Sequence, residues 1–252
     1  MSGHETYPAL SVVHLYPREM DENGDRGNLL VLLRRMQWRD IKVELTQYRP
    51  GDPFPHKADL LICGGGQIKT PSDQPVVLQD LPRIKEPLRT CIEAGAAALC
   101  VCGGYQLFGN SITTTEGESI DGLGIFDAHT TVGEKRFTGN VVAEDRGFGT
   151  IVGFENHNGK TYLHGDQAPL ARILVGAGNN GEDKTEGAWH HHALGTYLSG
   201  PLLPKNPAIA DYLIAKALEH RLGRSVDPSE LAPLPIDAYA TQAADVARTR
   251  PR

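Results

Sequence analysis

The amino-acid sequence predicts an α/β protein with a mainly parallel central sheet flanked by helices, and with an antiparallel β layer added in its second half. In the first part of the chain, short apolar runs alternate with segments of helical periodicity, as in strands joined by helical crossovers. From residue 122 onward, short β-type runs are separated by Gly, Asn and Asp, as in antiparallel strands joined by turns. A chain of 252 residues, 40% of them hydrophobic, is long enough for one domain with a large core.

The predicted elements follow one another in chain order. In the first half we predict strands over 10–15, 41–45, 60–63 and 96–101, and helices over 29–38 and 76–94, the second of them cut or kinked by Pro82 and Pro87. In the second half we predict β runs over 122–126, 138–143, 150–154, 160–163 and 171–175, and then a helix over 208–222. The segment after Gly223 is rich in Pro and Ala, so we expect a loosely packed tail. The chain therefore divides into an N-terminal tail over 1–9, one domain over 10–222 and a C-terminal tail over 223–252.

Composition and charge exclude several classes of protein. A formal net charge of −6 without a basic stripe argues against a nucleic-acid binder. No apolar run approaches the roughly 18 residues that cross a bilayer, and the N-terminus does not resemble a secretory signal. The four cysteines lack the spacing of a disulfide framework, and Cys100 and Cys102 alone do not complete a zinc site. We therefore predict a cytoplasmic protein without a metal, without membrane insertion and without a nucleic-acid partner.

The central motif is the sequence around Cys102. The apolar run over 96–101 stops at Cys102, and Gly103-Gly104 opens a short helix, an order that is typical of a nucleophile elbow. The partial positive charge and free N–H groups of a helix N-terminus lower the pKa of a thiol and can hold an oxyanion. We therefore predict that Cys102 is a nucleophile, with a buried structural cysteine as the alternative.

A second glycine turn, Gly64-Gly65-Gly66, directly follows the predicted strand over 60–63. Glycines at a strand end allow backbone N–H groups to approach a ligand closely. The pattern G-x-G-x-x-G is absent and no Lys-Ser or Lys-Thr follows, so a phosphate loop is disfavoured. Because ligands bind at the carboxyl ends of parallel strands, we expect both glycine turns at one crevice, where the Gly65 turn supplies the second half of an oxyanion site.

Several blocks of the chain resemble one protein family. They lie in order between about residues 11 and 220 and comprise 23–28, 62–67, 101–107, 122–125, 136–139, 148–157, 178–180, 194–198 and 200–206. The elbow block occurs in many amidotransferases, whereas Gly-Phe-Glu-Asn-His (153–157) and Gly-Pro-Leu-Leu-Pro-Lys-Asn (200–206) are much narrower. In these blocks the chain resembles the GatD subunits of lipid II isoglutaminyl synthases, which are cobyric-acid-synthase-like class I glutamine amidotransferases with a flavodoxin-like fold.

The resemblance implies a glutaminase subunit. Cys102 would attack the side-chain amide of L-glutamine and form a γ-glutamyl thioester with release of ammonia, while N–H groups near Gly65 and Gly103 hold the oxyanion. Arg136 stands where the family has an arginine that binds the carboxylate of glutamine. Without the resemblance, Arg136 would be interpreted as an exposed arginine on a β-edge. Gln106, in the elbow block, is counted with the substrate-binding residues.

The resemblance also implies a partner. In the family, ammonia passes to a MurT-type, Mur-ligase-like subunit, which uses ATP and Mg²⁺ to activate the α-carboxylate of D-glutamate in the lipid II stem peptide. The product is D-isoglutamine, a component of peptidoglycan. The chain itself shows no ATP motif, so we predict no cofactor in it. The complex would act in the cytoplasm, at the membrane face, without inserting.

One residue departs from the family pattern. The family's catalytic histidine lies in a Tyr-x-His-Gly motif, which here is Tyr197-Leu198-Ser199-Gly200. A serine hydroxyl cannot replace an imidazole as base and acid, and such help is commonly worth about 10²–10⁴-fold in rate. Three explanations stay open: another histidine acts, a natural or engineered substitution has inactivated the chain, or the chain is a silent subunit that stabilises its ligase. A different acceptor, such as a cobyric-acid-type substrate, is a further alternative.

Three sets of histidines are candidates for the missing function. His164 lies in a Tyr-x-His-Gly sequence, but it precedes the block over 178–180, whereas the family's histidine follows that block. The run over 190–192 ends 7 residues before Ser199 and is interpreted as a polar surface run. His157 is the third candidate, either for rescue or for a purely structural role.

Overall fold

The structure is a computed structural model that describes residues 7–70 and 72–250. Its helices in chain order are α1 (Arg26–Gln37), α2 (Pro75–Glu93), α3 (Gly103–Phe108), α4 (Pro207–Leu222) and α5 (Asp237–Thr249), with short 3₁₀ turns at Leu203–Lys205 and Pro228–Glu230. Its strands are β1 (Leu10–Leu15), β2 (Val43–Tyr48), β3 (Leu60–Cys63), β4 (Ala97–Val101), β5 (Ser111–Thr113), β6 (Ser119–Asp121), β7 (Ala128–Asp145), β8 (Gly149–Leu163), β9 (Ala171–Val175), β10 (Thr185–Glu186), β11 (Ala188–His190), β12 (Ala193–Thr196) and β13 (Leu198–Ser199).

The main sheet has six strands in the order β11-β12-β4-β3-β1-β2. Every neighbouring pair is parallel except the edge pair β11 and β12. The central strands β3 and β4 are buried along their whole length, as expected for strands covered on both faces. The predicted mainly parallel α/β sheet is therefore confirmed.

The second sheet contains β5 to β10 together with β13, and its centre is a long antiparallel hairpin of β7 and β8. The predicted β runs over 138–143, 150–154 and 160–163 are parts of these two long strands. The register shifts between Val132 and Phe137, so the segment between them bulges out of the pairing. The predicted antiparallel layer is confirmed, and one continuous apolar core includes residues of both sheets, such as Ile62 and Ile151.

The predicted β run over 122–126 is wrong. This segment has no strand structure, and its backbone instead caps the end of α3. The N–H of Leu123 donates to the Leu107 carbonyl at 2.8 Å, and the N–H of Ile125 donates to the Phe108 carbonyl at 2.9 Å. The last carbonyls of a helix have no partner within the helix, and here the loop that follows β6 satisfies them.

Other differences concern the ends and continuity of helices and strands. Helix α1 begins at Arg26, three residues before the prediction, and β2 occupies 43–48 rather than 41–45. Pro82 and Pro87 do not divide α2, which runs unbroken. Each proline removes a backbone hydrogen bond, but the buried apolar face of α2 packs on the core and supports the helix.

The C-terminal segment is attached to the domain at a few points, although α5 buries no residue. Val226 and Leu231 are buried, and α5 is anchored through Asp237, whose carboxylate accepts from Arg35 of α1 at 2.5 Å. Asp211 of α4 binds the same arginine at 2.6 Å. A carboxylate on each side of one buried guanidinium therefore attaches this segment to α1 and α4. Of the N-terminal tail, residues 1–6 lie outside the described residues, and among the described residues no helix is long and apolar enough to cross a membrane.

Candidate active site

Cys102 lies between β4 and α3 on a sharp turn, as the sequence predicts. Its backbone has φ +51° and ψ −110°, a strained conformation for a residue with a side chain. The turn is held from both sides: the Cys102 N–H donates to the Thr196 carbonyl at 2.8 Å, and the Cys102 carbonyl accepts from the Gln106 N–H at 3.0 Å. This strain is retained because β12 and α3 position the backbone around the thiol.

The thiol of Cys102 is protonated at rest. Burial raises its pKa to about 12, and the nearby Asp25 carboxylate raises it further, while the N–H of Gly103 and the Arg136 guanidinium act in the opposite direction. The helix N-terminus therefore lowers this pKa through the Gly103 N–H, as expected, but burial outweighs that effect. Helix α3 has only six residues, so its end supplies less stabilisation than burial removes. A thiol in this state needs a base that takes its proton during attack.

The Gly65 turn approaches the thiol, but its N–H is already engaged. The Gly65 N–H donates to Oδ2 of Asp25 at 2.8 Å. Burial raises the pKa of Asp25 to about 7, while the N–H groups of Gly65 and Gly200 that face the carboxylate oppose this shift. Of the two N–H groups expected to hold an oxyanion, the Gly65 N–H is thus satisfied by Asp25 in this conformation, and Gly103 remains beside the thiol.

A cavity of about 20 Å³ opens beside Cys102. It is lined by Glu22, Asn23, Gly66, Gln67, Ile68, Cys102, Gln106, Arg136, Asn156, His157 and Asn158. This volume holds about one water molecule, so glutamine enters only when side chains at the mouth move. The structure therefore brings three predicted site residues together, Cys102, Gln106 and Arg136, and it leaves Ser199 outside the lining.

Arg136 is positioned by the bulge between β7 and β8. Its side chain is exposed, and its Nε donates to Oδ1 of Asn156 at 2.6 Å. A guanidinium has five N–H donors, so this contact leaves donors for a carboxylate. Gln106 is buried instead, and its Nε2 donates to the hydroxyl of Tyr197 at 3.1 Å. Gln106 therefore lines the cavity while its amide group is held by Tyr197.

His157 is the histidine that the structure places at the cavity. Its Nδ1 lies 2.8 Å from the Gly159 carbonyl, and because a carbonyl only accepts, Nδ1 carries the proton. Its Nε2 is buried and has no hydrogen-bond partner among residues 7–70 and 72–250. Burial lowers the pKa of His157 to about 4, and the positive charge of Arg136 also lowers it. A neutral imidazole with a free lone pair on Nε2 therefore lines the site.

The other candidate histidines are bound elsewhere. His164 Nε2 lies 2.6 Å from Nδ1 of His129, and His192 Nδ1 lies 3.0 Å from the Tyr212 hydroxyl. Neither residue lines the cavity. In the described part of the chain, no three His, Cys, Asp or Glu side chains are grouped as a metal site. Sequence spacing alone does not favour His157 over the other candidate histidines. In the structure, His157 pairs with Phe137 across the bulged hairpin of β7 and β8 and lines the cavity.

Sequence comparison identifies relatives that span most of the chain. Residues 11–207 match the family of CobB/CobQ-like glutamine amidotransferase domains. The GatD subunit of the glutamine-hydrolyzing lipid II isoglutaminyl synthase of Staphylococcus aureus is 40% identical over 88% of this chain and 89% of its own length. The corresponding subunit of Streptococcus pneumoniae is 34% identical over 87% of this chain and 85% of its own length. A probable cobyric acid synthase of Methanopyrus kandleri is 33% identical, but the match covers 34% of that protein.

Two solved structures share this fold at low sequence identity. PurLQS from Thermotoga maritima aligns with a TM-score of 0.55 and 14% identity, over 86% of this chain and 99% of that chain. The glutaminase domain of Trypanosoma brucei CTPS with bound acivicin aligns with a TM-score of 0.54 and 11% identity, over 86% and 96%. These alignments show a shared fold. The match of residues 11–207 and the two GatD relatives show that the chain belongs to the CobB/CobQ-like glutamine amidotransferase family and, within it, to the GatD family.

Proposed function

We propose that this chain is the glutaminase subunit of a lipid II isoglutaminyl synthase, which hydrolyses L-glutamine at Cys102 and passes the ammonia to a MurT-type ligase. The observation that carries the proposal is the strained elbow cysteine in a cavity that also holds the exposed guanidinium of Arg136. The substrate is supported by the relatives from S. aureus and S. pneumoniae, whose names describe glutamine-hydrolysing enzymes.

The chemistry follows from the positions of these groups. The Cys102 sulfur attacks the side-chain amide carbon of glutamine, ammonia leaves, and water then hydrolyses the γ-glutamyl thioester to glutamate. The Gly103 N–H at the start of α3 is one donor to the oxyanion. The Gly65 N–H becomes a second donor when Asp25 releases it, which protonation of a carboxyl group with a pKa of about 7 favours.

The partner completes the reaction. The ligase subunit would bind ATP and Mg²⁺ and activate the D-glutamate α-carboxylate of the lipid II stem peptide, while this chain supplies ammonia as a heterodimer partner. We place the complex in the cytoplasm, since all four cysteines are free thiols. The lipid-linked acceptor would bring the complex to the membrane face. A cobyric-acid-type acceptor is less supported, because the fused synthase aligns over only about a third of its length.

The proposal is tested by ammonia release from L-glutamine by the purified chain, with and without its ligase, together with amidation of lipid II. We expect release that depends on glutamine and amidation that also runs on an ammonium salt. Amidation on ammonium alone, with no ammonia from glutamine in either preparation, would instead establish a silent subunit that stabilises its ligase.

Replacing Arg136 with alanine is expected to raise the KM for glutamine by about 10–100-fold, with a smaller change in kcat, because a charged two-point contact to the carboxylate is lost. Steady-state kinetics of ammonia release measure both constants. Lys135→Ala is the matched control, because Lys135 directly precedes Arg136 and does not line the cavity. Its ammonium lies 5.3 Å from the ring centre of Phe137. Equal KM values for the Arg136→Ala and Lys135→Ala proteins would exclude a specific carboxylate site.

A further inference from the structure

The histidine position of the family and the histidine at the cavity are different residues in this chain. Ser199 is buried in β13, and its hydroxyl donates to the Phe154 carbonyl of β8 at 3.4 Å. His157 lies three residues further along β8, and its ring lines the cavity beside Cys102. The strand that holds Ser199 thus pairs with the strand that supplies an imidazole to the site.

We propose that His157 is the general base and general acid for Cys102, an assignment that rests on the proposed glutaminase function. Two observations support it. The Nδ1 proton is used by the Gly159 carbonyl, so Nε2 carries the lone pair of the neutral ring. This Nε2 is buried without a partner among the described residues, and it belongs to a ring that shares an 11-residue cavity lining with the thiol. A buried acceptor without a partner costs free energy, which is typical of a group that is kept for a ligand or a reaction.

The ring is also tied to the elbow. His157 stacks on Tyr197 with 3.7 Å between ring centres and 9° between ring planes. The Tyr197 hydroxyl accepts from Gln106 Nε2 at 3.1 Å, and Gln106 lies in the helix that starts after Cys102. Tyr197 in turn follows Thr196, whose carbonyl accepts the Cys102 N–H. The imidazole therefore has a defined orientation relative to the thiol, as proton transfer requires.

The proton balance is complete with these two side chains. As the Cys102 sulfur bonds to the amide carbon, its proton moves to Nε2 of His157. The imidazolium then gives this proton to the leaving nitrogen, the C–N bond breaks, and ammonia departs from the thioester. In the second half, Nε2 takes a proton from water as its oxygen attacks the thioester carbon. The proton returns to the sulfur when the C–S bond breaks and glutamate leaves.

The first experiment measures ammonia release by the complex with its ligase after His157→Asn. Asparagine keeps an N–H donor for the Gly159 carbonyl and removes the Nε2 acceptor, so we expect kcat to fall by about 10²–10⁴-fold. His164→Gln is the matched control, since this exposed histidine pairs with His129 outside the cavity, and it should stay near the parent rate. Parent-like turnover by a folded His157→Asn protein would overturn the assignment while the proposed function stands. No ammonia from the unsubstituted complex would overturn both.

A pH profile separates a proton-transfer role from a structural one. In the parent, a neutral thiol and a neutral imidazole dominate between a His157 pKa of about 4 and a Cys102 pKa of about 12, so these two groups cause no rise in kcat/KM from pH 6 to 9. Ionisation of Asp25 near pH 7 should instead lower kcat/KM of the parent above that pH, because the Asp25 carboxylate then holds the Gly65 N–H. In His157→Asn only the thiolate reacts, so kcat/KM should rise by up to about tenfold for each pH unit. The rise should be shallower near pH 7, because Asp25 ionises there and its charge opposes thiolate formation.

The charged and polar groups around position 157 and Cys102 are the same in the parent and in His157→Asn. They are Arg136, the Gly159 carbonyl and the Tyr197 ring around His157, and Asp25, Glu22, Arg136 and the Gly103 N–H around Cys102. A difference between the two pH profiles therefore reports the loss of the imidazole. Equal slopes in the parent and His157→Asn would contradict the proposal even if the variant were destabilised. Ser199→His restores the family's histidine; we expect no gain, and a gain of about tenfold or more would show that the parent lacks an acid–base group, against the proposal.

Discussion

Replacing Cys102 with alanine is expected to abolish ammonia release from glutamine, with a loss of at least about a thousandfold in kcat. Within the described part of the chain, Cys102 carries the one thiol or hydroxyl among the side chains that line the cavity, so no other side chain is placed to form the acyl intermediate. Alanine keeps Cβ and the same positive φ, so the fold and the thermal midpoint Tm should change little. A coupled assay for ammonia and a thermal melt measure the two effects.

The matched control for this variant is Cys100→Ala. Cys100 lies two residues earlier on β4, is fully buried and does not line the cavity. Its replacement should leave the glutaminase rate within about twofold and lower the free energy of unfolding by about 1 kcal/mol. The Cys102→Ala complex should still amidate lipid II with an ammonium salt. Parent-like ammonia release by Cys102→Ala would show that the nucleophile is a different residue.

Replacing Gly103 with alanine is expected to disrupt both stability and activity. A Cβ on Gly103 would lie 2.0 Å from the carbonyl oxygen of Gly66 and 2.7 Å from its nitrogen. Both atoms belong to backbone, so no side-chain rotation relieves the clash, and the two glycine turns must separate. We expect the free energy of unfolding to fall by about 3 kcal/mol or more. Glutaminase activity should fall with it, because the Gly103 N–H leaves its place beside the sulfur.

Urea unfolding measures the first effect, and the ammonia assay on the fraction that stays folded measures the second. Gly133→Ala is the stability control, since a Cβ there meets only the Asn158 carbonyl oxygen, at an ordinary distance of 3.8 Å. If Gly103→Ala unfolds at the same urea concentration as Gly133→Ala, the close contact between the two glycine turns is not required for the fold.

Most of the fold could be predicted from local patterns. The predicted limits of the strands over 10–15 and 60–63 agree with the observed ones, because each is a short, mainly apolar run, the second of them bounded by Asp59 and Gly64. The run over 122–126 has a similar β-type pattern, yet its N–H groups cap α3. Whether these N–H groups pair with a strand or cap α3 depends on where the last carbonyls of α3 lie in space. A local sequence pattern does not carry that information. Composition alone indicates a loose C-terminal segment, whereas Arg35 of α1 and Arg39, two residues after α1, bind it.

Some features of the candidate site could likewise be predicted from local sequence, and others depend on the tertiary structure. A thiol at a strand-to-helix turn followed by glycine was predicted from the order of residues around Cys102, because the backbone geometry of an elbow is local. The resemblance also implies that Ser199 stands at the position of the family's histidine, which stays a prediction. The choice of His157 among the histidines was not accessible from the sequence, since its spacing from Cys102 carries no periodic signal.

The sequence by itself therefore determined the α/β class, the elbow and the identity of the nucleophile proposed here, since these depend on residues that are close along the chain. Only the tertiary structure decided that Cys102 rests as a thiol, that Asp25 occupies the Gly65 N–H, and that an imidazole lines the cavity at position 157. The physical reason is that proton affinity depends on burial and on charges from distant segments. Arg136 and His157 reach the site of Cys102 only after β7 and β8 pack beside the parallel sheet, and Asp25 reaches it from the segment that precedes α1.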